Sequence, residues 1–276
     1  MNSPRILIIA GSDSGGGAGI QADIKTVTMF GGYAMTAITA LTAQNSLEVS
    51  AVLQVPTDMV LAQIDAVASD IGVDAVKIGM IGSADTANAV AERLAGLPAD
   101  HVIFDPVMVA TSGAVLADDA TISAFSRLAA RASLVTPNGP ELARLTGMRV
   151  DHPGDAEAAA QTLASASGTA VLAKGGDMGG SQVRDCLAYP DGRVVRWASV
   201  RIDTPHSHGT GCTLASAVAT LLARGHALEE AIGLARDYVL AAIRAAPPYG
   251  AGHGPMGHAL GVVPFDVIRA QVGDKA

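Results

Sequence analysis

The sequence HGTGCT at residues 208–213 combines small residues and a thiol in a way that suits phosphoryl transfer. The alanine-rich apolar residues that follow predict a helix over 211–223. Successive backbone N–H groups of Gly209, Thr210 and Gly211 at the positive end of that helix would form an anion hole. Such a hole can stabilise charge on a phosphoryl group during its transfer. A helix start that is closed by an ordinary side-chain cap is the alternative interpretation.

Cys212 completes this predicted site. A thiol at a helix N-terminus usually has a lowered pKa, and we therefore expect Cys212 to accept the proton of an attacking hydroxyl. A small buried thiol with no chemical role is the alternative. Zinc ligation with His206 and His208 is disfavoured, because the spacing matches no standard ligand set.

Acidic and basic side chains follow several apolar runs. Asp105 comes directly after one run, and Asn138 and Glu141 follow the next. Hard oxygen ligands of this kind suit Mg²⁺, which binds through one or two carboxylates, waters and phosphates. A turn at Asp105 and a helix cap formed by Asn138 and Glu141 explain the same residues without a ligand. Lys174 ends another apolar run, where a buried unpaired ammonium is costly, so we expect it either to reach solvent or to contact an anion such as phosphate. For Lys77 a structural ion pair is favoured.

A glycine-rich segment, GSDSGGGAG at residues 11–19, lies between an apolar run and a predicted helix. Glycines allow the backbone to approach a ligand closely, and the helix start offers unpaired N–H groups. A dinucleotide-binding loop requires an acidic residue about 20 positions later, and none is found there. A tight turn without a ligand is the remaining alternative.

These residues require a frame that brings the ends of several strands together. Short apolar runs alternate with longer helical patterns, which predicts a doubly wound, three-layer α/β/α sandwich with a mostly parallel central sheet. The Asp-Gly turn at 191–192 predicts an antiparallel hairpin at the sheet edge. The predicted strands are 6–10, 75–78, 101–104, 134–136 and 170–173, with the hairpin over 187–198. The predicted helices are 17–30, 57–70, 83–95, 117–131, 138–146, 155–167, 211–223 and 227–245, with a last one after Pro264.

Composition limits the possible functions. The chain has 276 residues, 49% of them hydrophobic, and no boundary within residues 1–276 favours a second domain. A formal net charge of −8 and only scattered lysines argue against nucleic-acid binding. Cys186 and Cys212 form no motif, which suits a reducing cytoplasm. No apolar stretch is long enough for a membrane span, and the start does not resemble a signal peptide.

Several motifs in order resemble the bacterial hydroxymethylpyrimidine/phosphomethylpyrimidine kinases of thiamine biosynthesis, which have a ribokinase-like fold. The resemblance extends over residues 5–263. Its carriers are GSDSGGGAGIQAD at 11–23, ITALTAQN at 38–45, VKIGM at 76–80, DPVMVA at 105–110, TPNGPE at 136–141, KGG at 174–176, HGTGCT at 208–213 and GHGPMGH at 252–258.

The resemblance implies ATP- and Mg²⁺-dependent phosphorylation of 4-amino-5-hydroxymethyl-2-methylpyrimidine, first to the monophosphate and then to the diphosphate. It also implies a homodimer. Residues 209–212 would form the anion hole, with Cys212 at the position of a catalytic aspartate in related sugar kinases. Pyrimidine contacts are implied for Gly11, Asp23, Gln44 and Met80. Nucleotide contacts are implied for Asn138, Glu141 and Lys174, with Asp105 and Glu141 near Mg²⁺ through water.

One departure from the family pattern concerns Thr111, which stands where relatives usually carry lysine. We expect the missing charge to weaken phosphate handling. A pyridoxal kinase remains an alternative, because it also phosphorylates a hydroxymethyl group on a nitrogen heterocycle. A non-catalytic sensor of a pyrimidine phosphate and, more remotely, an NAD oxidoreductase are the others.

Overall fold

A nine-stranded sheet forms the centre of the protein in the computed structural model, which describes residues 3–261. The strand order is β3-β2-β1-β4-β5-β6-β7-β8-β9. Neighbouring strands from β2 to β7 are parallel, and β3, β8 and β9 are antiparallel to their neighbours. The strands are β1 Arg5–Asp13, β2 Tyr33–Gln44, β3 Val49–Gln54, β4 Ala75–Ile78, β5 His101–Phe104, β6 Leu134–Val135, β7 Ala170–Ala173, β8 Gln182–Ala188 and β9 Val194–Val200.

Helices cover both faces of this sheet. They are α1 Gly19–Met29, α2 Thr57–Asp70, α3 Ala84–Leu94, α4 Asp119–Ala129, α5 Gly139–Thr146, α6 Pro153–Ser167, α7 Thr210–Ala223 and α8 Leu228–Arg244. Alternate residues of β1 separate the two layers. Ile6 and Ile8 belong to the core under α1, α7 and α8, whereas Leu7 and Ile9 belong to the core under α2 to α6. The predicted three-layer sandwich is therefore confirmed.

Most of the predicted elements agree with the structure. All the predicted helices within the described residues are present, and the hairpin is formed by β8 and β9, although its first strand begins at Gln182 and not at residue 187. We assigned no element to residues 31–56, where the structure has β2 and β3. The reason is that β2 is built largely of alanine and threonine, which give a weak hydrophobic pattern. The helix expected after Pro264 lies outside the described residues.

The fold brings the carboxyl ends of five parallel strands to one edge of the sheet. Gly11 lies near the end of β1, and Met80, Asp105, Thr136 and Lys174 follow β4, β5, β6 and β7 closely. Ligands of open α/β sheets bind at this edge. Among residues 3–261, no helix is long and apolar enough to cross a membrane.

Candidate active site

A cavity of about 890 Å³ opens at the carboxyl edge of the sheet. Because the strand order is β2-β1-β4-β5-β6-β7, Gln44 at the end of β2 and Lys174 after β7 lie at opposite ends of this row. The N-terminus of α7 lies between them. The predicted site residues that line the cavity are Gly11, Gln44, Met80, Asp105, Asn138, Glu141, Lys174, Gly209, Thr210, Gly211 and Cys212.

Asp13 organises the glycine-rich loop at the end of β1. Its carboxylate accepts hydrogen bonds from the backbone N–H groups of Gly15, Gly17 and Ala18, at 2.8, 3.0 and 2.8 Å. Burial raises the pKa of Asp13, but hydrogen bonds from His208 and the backbone outweigh it and leave the pKa below its ordinary value. Sequence reasoning did not assign this role. An aspartate two residues before a glycine is the signal that would have found it, because aspartate caps its own turn.

Gly11 and Met80 form a closely packed wall of the cavity. A Cβ atom added to Gly11 would lie 2.8 Å from the sulfur of Met80, so the wall requires glycine or a shift of the methionine. Gln44 provides the polar group beside this wall, and its side-chain nitrogen lies 3.0 Å from Nε2 of His208. A flat apolar surface next to a carboxamide can hold a heterocycle and read its polar edge.

Asp23 does not line this cavity. Its side chain is fully buried in α1, where one carboxylate oxygen accepts a hydrogen bond from Lys77 at 2.9 Å and the other from Ser216 at 2.7 Å. The implied contact between Asp23 and a pyrimidine therefore does not fit the structure, and we assign Asp23 to the support of the site. Conversely, the favoured interpretation of Lys77 as a structural ion pair is confirmed. Burial lowers the pKa of Lys77, but Asp23 is the main group that raises it above its ordinary value.

The start of α7 has the open geometry that an anion hole requires. Gly209 has a left-handed φ of 86°, and no side chain caps the helix there. A Cβ atom on Gly209 would lie 2.0 Å from the carbonyl oxygen of Gly17, and one on Gly211 would lie 3.0 Å from Nζ of Lys174. Residue 209 must therefore be glycine, whereas a side chain at residue 211 would require only a small shift of Lys174. The alternative of a side-chain cap is wrong.

The prediction of a lowered pKa for Cys212 is also wrong. Removal from water raises the pKa of the Cys212 thiol to about 11, although Lys77 lowers it in part. The negative charges of Asp23 and Asp105 act in the same direction as burial. At neutral pH the thiol is therefore protonated in the resting protein, because desolvation outweighs the helix dipole.

A cluster of charged groups lies where β5, β6 and β7 end. The ammonium of Lys174 donates a hydrogen bond to Asp105 at 2.7 Å and lies 3.9 Å from Glu141. The hydroxyl of Thr136 donates to the same oxygen of Asp105, at 2.9 Å. Burial lowers the pKa of Lys174, but the two carboxylates raise it above its ordinary value, so Lys174 stays charged.

Asn138 and Glu141 form a capping box at the start of α5. The side-chain oxygen of Asn138 accepts from the N–H of Glu141 at 2.9 Å, and the Glu141 carboxylate accepts from the N–H of Asn138 at 2.8 Å. Capping thus explains both residue types, yet both also face the cavity. Burial and the charge of Asp105 raise the pKa of Glu141 to about 7, against the opposing effect of Lys174.

Arg201 is a further cavity residue that sequence reasoning missed. Its guanidinium donates to the backbone carbonyl groups of Gly176, Met178 and Gly180, and so holds the glycine-rich segment after Lys174. No pattern in the sequence links Arg201 to that segment. The link depends on the pairing of β8 with β9, which only the folded chain establishes.

Comparison with known proteins identifies the family. The model of the phosphomethylpyrimidine kinase family matches residues 13–257. The chain belongs to this family. Its relatives include the thiamine biosynthesis bifunctional protein ThiED of Geobacter sulfurreducens, which is 49% identical over 92% of this chain. The chain spans about half, 52%, of the length of that relative.

Two further proteins match this chain along most of their own length. The hydroxymethylpyrimidine/phosphomethylpyrimidine kinase of Streptomyces coelicolor is 47% identical, and the match covers 92% of this chain and 94% of that protein. Bacillus subtilis pyridoxal kinase, solved as an ADP complex, is 34% identical with a TM-score of 0.86, and the match covers 94% of this chain and 98% of that chain. The ribokinase-like fold of these kinases is thus shared by this chain.

Proposed function

We propose that this chain is an ATP-dependent kinase of thiamine biosynthesis that acts in the cytoplasm as one domain over residues 1–276. It phosphorylates 4-amino-5-hydroxymethyl-2-methylpyrimidine to the monophosphate and then phosphorylates that product to the diphosphate. The observation that carries the proposal is one continuous cavity. It has the carboxamide of Gln44 towards one end of the strand row, Lys174 towards the other, and an uncapped helix start between them.

The pyrimidine occupies the end of the cavity near β1 and β2. Met80 and Gly11 form a wall against which a flat ring packs. The carboxamide of Gln44 has a donor and an acceptor side by side, which match the acceptor nitrogen and the amino group of an aminopyrimidine. In this arrangement the hydroxymethyl group points towards Cys212.

The helix start supplies the transition-state contacts. Backbone N–H groups of residues 209–212 hold the phosphoryl group in transit, and Lys174 neutralises its charge from the other side. Phosphoryl transfer depends mainly on positioning and charge stabilisation and needs little help from a base. The resting Cys212 thiol is protonated and cannot take a second proton. As the hydroxyl oxygen bonds to the terminal phosphorus and the bond from that phosphorus to ADP breaks, the hydroxyl proton passes to an oxygen of the transferred phosphoryl group. Cys212 then positions the hydroxyl by contact and does not act as a base.

The opposite end of the cavity holds the nucleotide. Apolar side chains from β9, α8 and the segment after β9 line it beyond Lys174 and provide a surface for a purine ring: Val200, Ile202, Leu240 and Ile243. Asn138, Glu141 and Lys174 lie where the phosphates would pass. Asp105 and Glu141 are hard oxygen donors beside this path, so they fit a Mg²⁺ ion held mostly by phosphates and water. Bound Mg²⁺ would neutralise phosphate charge.

A homodimer is the assembly that the surface supports. β3 is exposed along nearly its whole length and pairs only with β2 among the described strands. Leu41 and Leu53 are paired across β2 and β3 and are both exposed, and Val52 and Met59 are further exposed apolar residues of this region. Exposed apolar strand edges are normally covered, and a second copy offers the same edge. Sedimentation of the protein at micromolar concentration should give the mass of two chains, and Leu53→Lys should shift it towards one.

Mass spectrometry of products after incubation with the pyrimidine and MgATP tests the activity. The expected result is a monophosphate that appears first and a diphosphate that follows. Pyridoxal in place of the pyrimidine tests the second candidate, which the likeness to Bacillus subtilis pyridoxal kinase favours. A turnover of pyridoxal that exceeds that of the pyrimidine would reverse the assignment. The absence of any product that depends on a heterocycle would contradict both.

A further inference from the structure

Two charged side chains of the cavity wall have no part in the function proposed above. Asp185 of β8 and Arg236 of α8 line the cavity, yet each residue is only 8% exposed. Nε of Arg236 donates to one carboxylate oxygen of Asp185 at 2.6 Å. A buried ion pair loses much of its attraction to desolvation, and apolar residues of similar volume often stabilise a fold as well. Stability alone therefore does not account for the pair.

The second carboxylate oxygen of Asp185 holds the backbone next to Lys174. It accepts a hydrogen bond from the N–H of Gly175 at 2.7 Å. The N–H of Lys174 donates to the carbonyl oxygen of Pro137 at 2.9 Å. The peptide groups on both sides of the Lys174 Cα atom are therefore fixed, one by the segment before α5 and the other by β8. Two fixed peptide planes define the backbone dihedrals of Lys174 and hence the direction in which its side chain leaves the backbone.

Every group in this arrangement has a single possible hydrogen-bonding role. The carboxylate only accepts, and the guanidinium and the backbone N–H only donate. Arg236 takes one oxygen of Asp185 and Gly175 takes the other, so the carboxylate is held from two sides. A Cβ atom on Gly175 would lie 2.0 Å from the carbonyl oxygen of Arg184, because this segment packs closely against β8.

The proposed chemistry requires an accurate position of the Lys174 ammonium. A Cβ atom on Gly211 would lie 3.0 Å from Nζ of Lys174, so the ammonium lies against the start of α7. It also donates to Asp105 at 2.7 Å. The ammonium has three protons, and it can keep the bond to Asp105 while it contacts a phosphoryl group only if its side chain starts from the right place. A misplacement of about 1 Å can cost about 100-fold in rate.

We propose that Asp185 is a positioning residue, which acts through the N–H of Gly175 to aim the ammonium of Lys174 at the phosphoryl path. Arg236 holds the carboxylate of Asp185 in place. The inference rests on the proposed function, because the phosphoryl path is that of the proposed kinase. Arg201 holds carbonyl groups further along the same segment and therefore does not replace this contact.

Two double variants that differ in a single acceptor test the contact to Gly175. Asp185→Leu with Arg236→Met removes both charges and leaves the N–H of Gly175 without its acceptor. Asp185→Asn with Arg236→Met also removes both charges, but the asparagine oxygen can still accept from Gly175. We expect kcat to fall about 10-fold in the leucine variant and at most about threefold in the asparagine variant. Both variants lack Arg236, so a direct contact of Arg236 with the nucleotide cannot account for a difference between them.

The effect must also pass through Lys174. In a protein that carries Lys174→Met, the leucine variant should lower kcat by less than about twofold further, because side chains that act as one unit have non-additive effects. A further loss of about 10-fold in that background would overturn the inference, and so would equal kcat values in the two folded double variants. If the leucine variant does not fold, Asp185→Val with Arg236→Met replaces it, since valine suits a strand and also lacks an acceptor.

Calorimetric binding of a non-hydrolysable ATP analogue with Mg²⁺ distinguishes this inference from the proposed function. A wild-type protein that binds the analogue but forms no phosphate product contradicts the proposed activity alone. The affinity for the analogue then takes the place of kcat, and the asparagine variant should bind it about threefold more tightly than the leucine variant. Equal affinities of the two variants would again overturn the positioning role.

Discussion

Two lysine–aspartate pairs lie near the start of α7. We expect one of them to stabilise the fold and the other to take part in turnover. Lys77 pairs with Asp23 at 2.9 Å, and both side chains are 0% exposed. Lys174 pairs with Asp105 at 2.7 Å, but the lysine side chain keeps 14% exposure and faces the cavity. Lys77 is the third residue of β4, and Lys174 comes directly after β7. The residue type is the same, and access to the cavity makes the difference.

The fully buried pair of Lys77 and Asp23, here called the closed pair, should be necessary for stability. Asp23→Ala leaves the ammonium of Lys77 buried without its carboxylate partner, which typically costs about 3–5 kcal/mol of unfolding free energy. Urea unfolding followed by circular dichroism measures the change. As a control, Asp74→Ala removes the partly exposed partner of Arg5 and should cost at most about 1 kcal/mol.

A double variant, Asp23→Leu with Lys77→Met, separates charge from packing. Because it removes both buried charges, it should recover much of the stability that Asp23→Ala loses. Equal losses in Asp23→Ala and Asp74→Ala would contradict the distinction between a closed and an open pair.

The pair of Lys174 and Asp105, which faces the cavity and is here called the open pair, should be necessary for turnover. Lys174→Met removes the cation next to the phosphoryl path, and we expect kcat to fall about 100-fold. The unfolding free energy should fall less than in Asp23→Ala, because Thr136 still donates to Asp105 and the lysine position keeps access to the cavity. Steady-state kinetics with MgATP gives the first quantity and urea unfolding the second. Arg149→Met, at an exposed position, serves as the matched control. A stable Lys174→Met protein with wild-type kcat would remove Lys174 from the proposed chemistry.

Cys212 lies between the two pairs and should have an intermediate effect. Cys212→Ala should lower kcat about 10-fold, a modest loss because the resting thiol is protonated and a base contributes little. The KM of the pyrimidine should stay within twofold. Since the pKa of the thiol is raised to about 11, alkylation by iodoacetamide should be slow at pH 7 and accelerate towards that value. Fast alkylation at pH 7 would contradict the desolvated state of this thiol.

Glu141, which lies beside Lys174 and Asp105, should affect the pH dependence of stability. Its pKa is about 7 in the folded protein against an ordinary 4.5, so between these values the folded state holds a proton that the unfolded state has released. Wild-type stability therefore falls as the pH rises from about 4.5 to 7. Glu141→Gln keeps the capping acceptor but has no titrating group, so the unfolding free energy of this variant should not fall over this pH range. The control Glu48→Gln, at an exposed site, should show the same fall as the wild type.

Unfolding free energies at pH 4, 5.5, 7 and 8 test this prediction. The difference between Glu141→Gln and wild type should grow in favour of the variant up to pH 7 and then stay constant. A difference that is independent of pH would show that Glu141 titrates normally.

The sequence predicts the frame of this protein well and its long-range contacts poorly. The helices are amphipathic or alanine-rich, and the central strands are continuous runs of large aliphatic residues, so periodicity identifies them. β2 escapes because its buried positions are filled mainly by alanine and threonine. The edge hairpin of β8 and β9 is predictable because Asp-Gly defines its turn.

In the candidate site, too, the local motifs can be predicted from the sequence and the long-range contacts cannot. The glycines of the two loops, the charged residues after the strands and the family motifs indicate where the chemistry is. The sequence does not reveal which residues these side chains contact, because the contacting residues are far apart along the chain. Lys77 and Asp23 are 54 residues apart, and Gln44 and His208 are 164 residues apart. The expected pKa of Cys212 is wrong for a similar reason. The sequence predicts the helix start. The desolvation that raises the pKa of the thiol depends on the residues packed around it, which the sequence does not reveal.

A structure of the protein with the hydroxymethylpyrimidine and a non-hydrolysable ATP analogue tests the central claim most directly. The measurement is the distance from the hydroxymethyl oxygen to the terminal phosphorus and to the sulfur of Cys212. The account predicts the ring against Met80 with its amino edge on Gln44, the oxygen about 3–3.5 Å from the phosphorus, and the terminal phosphate on the backbone N–H groups of residues 209–212. A pyrimidine bound away from Gln44, or a phosphate that does not contact the start of α7, would contradict it.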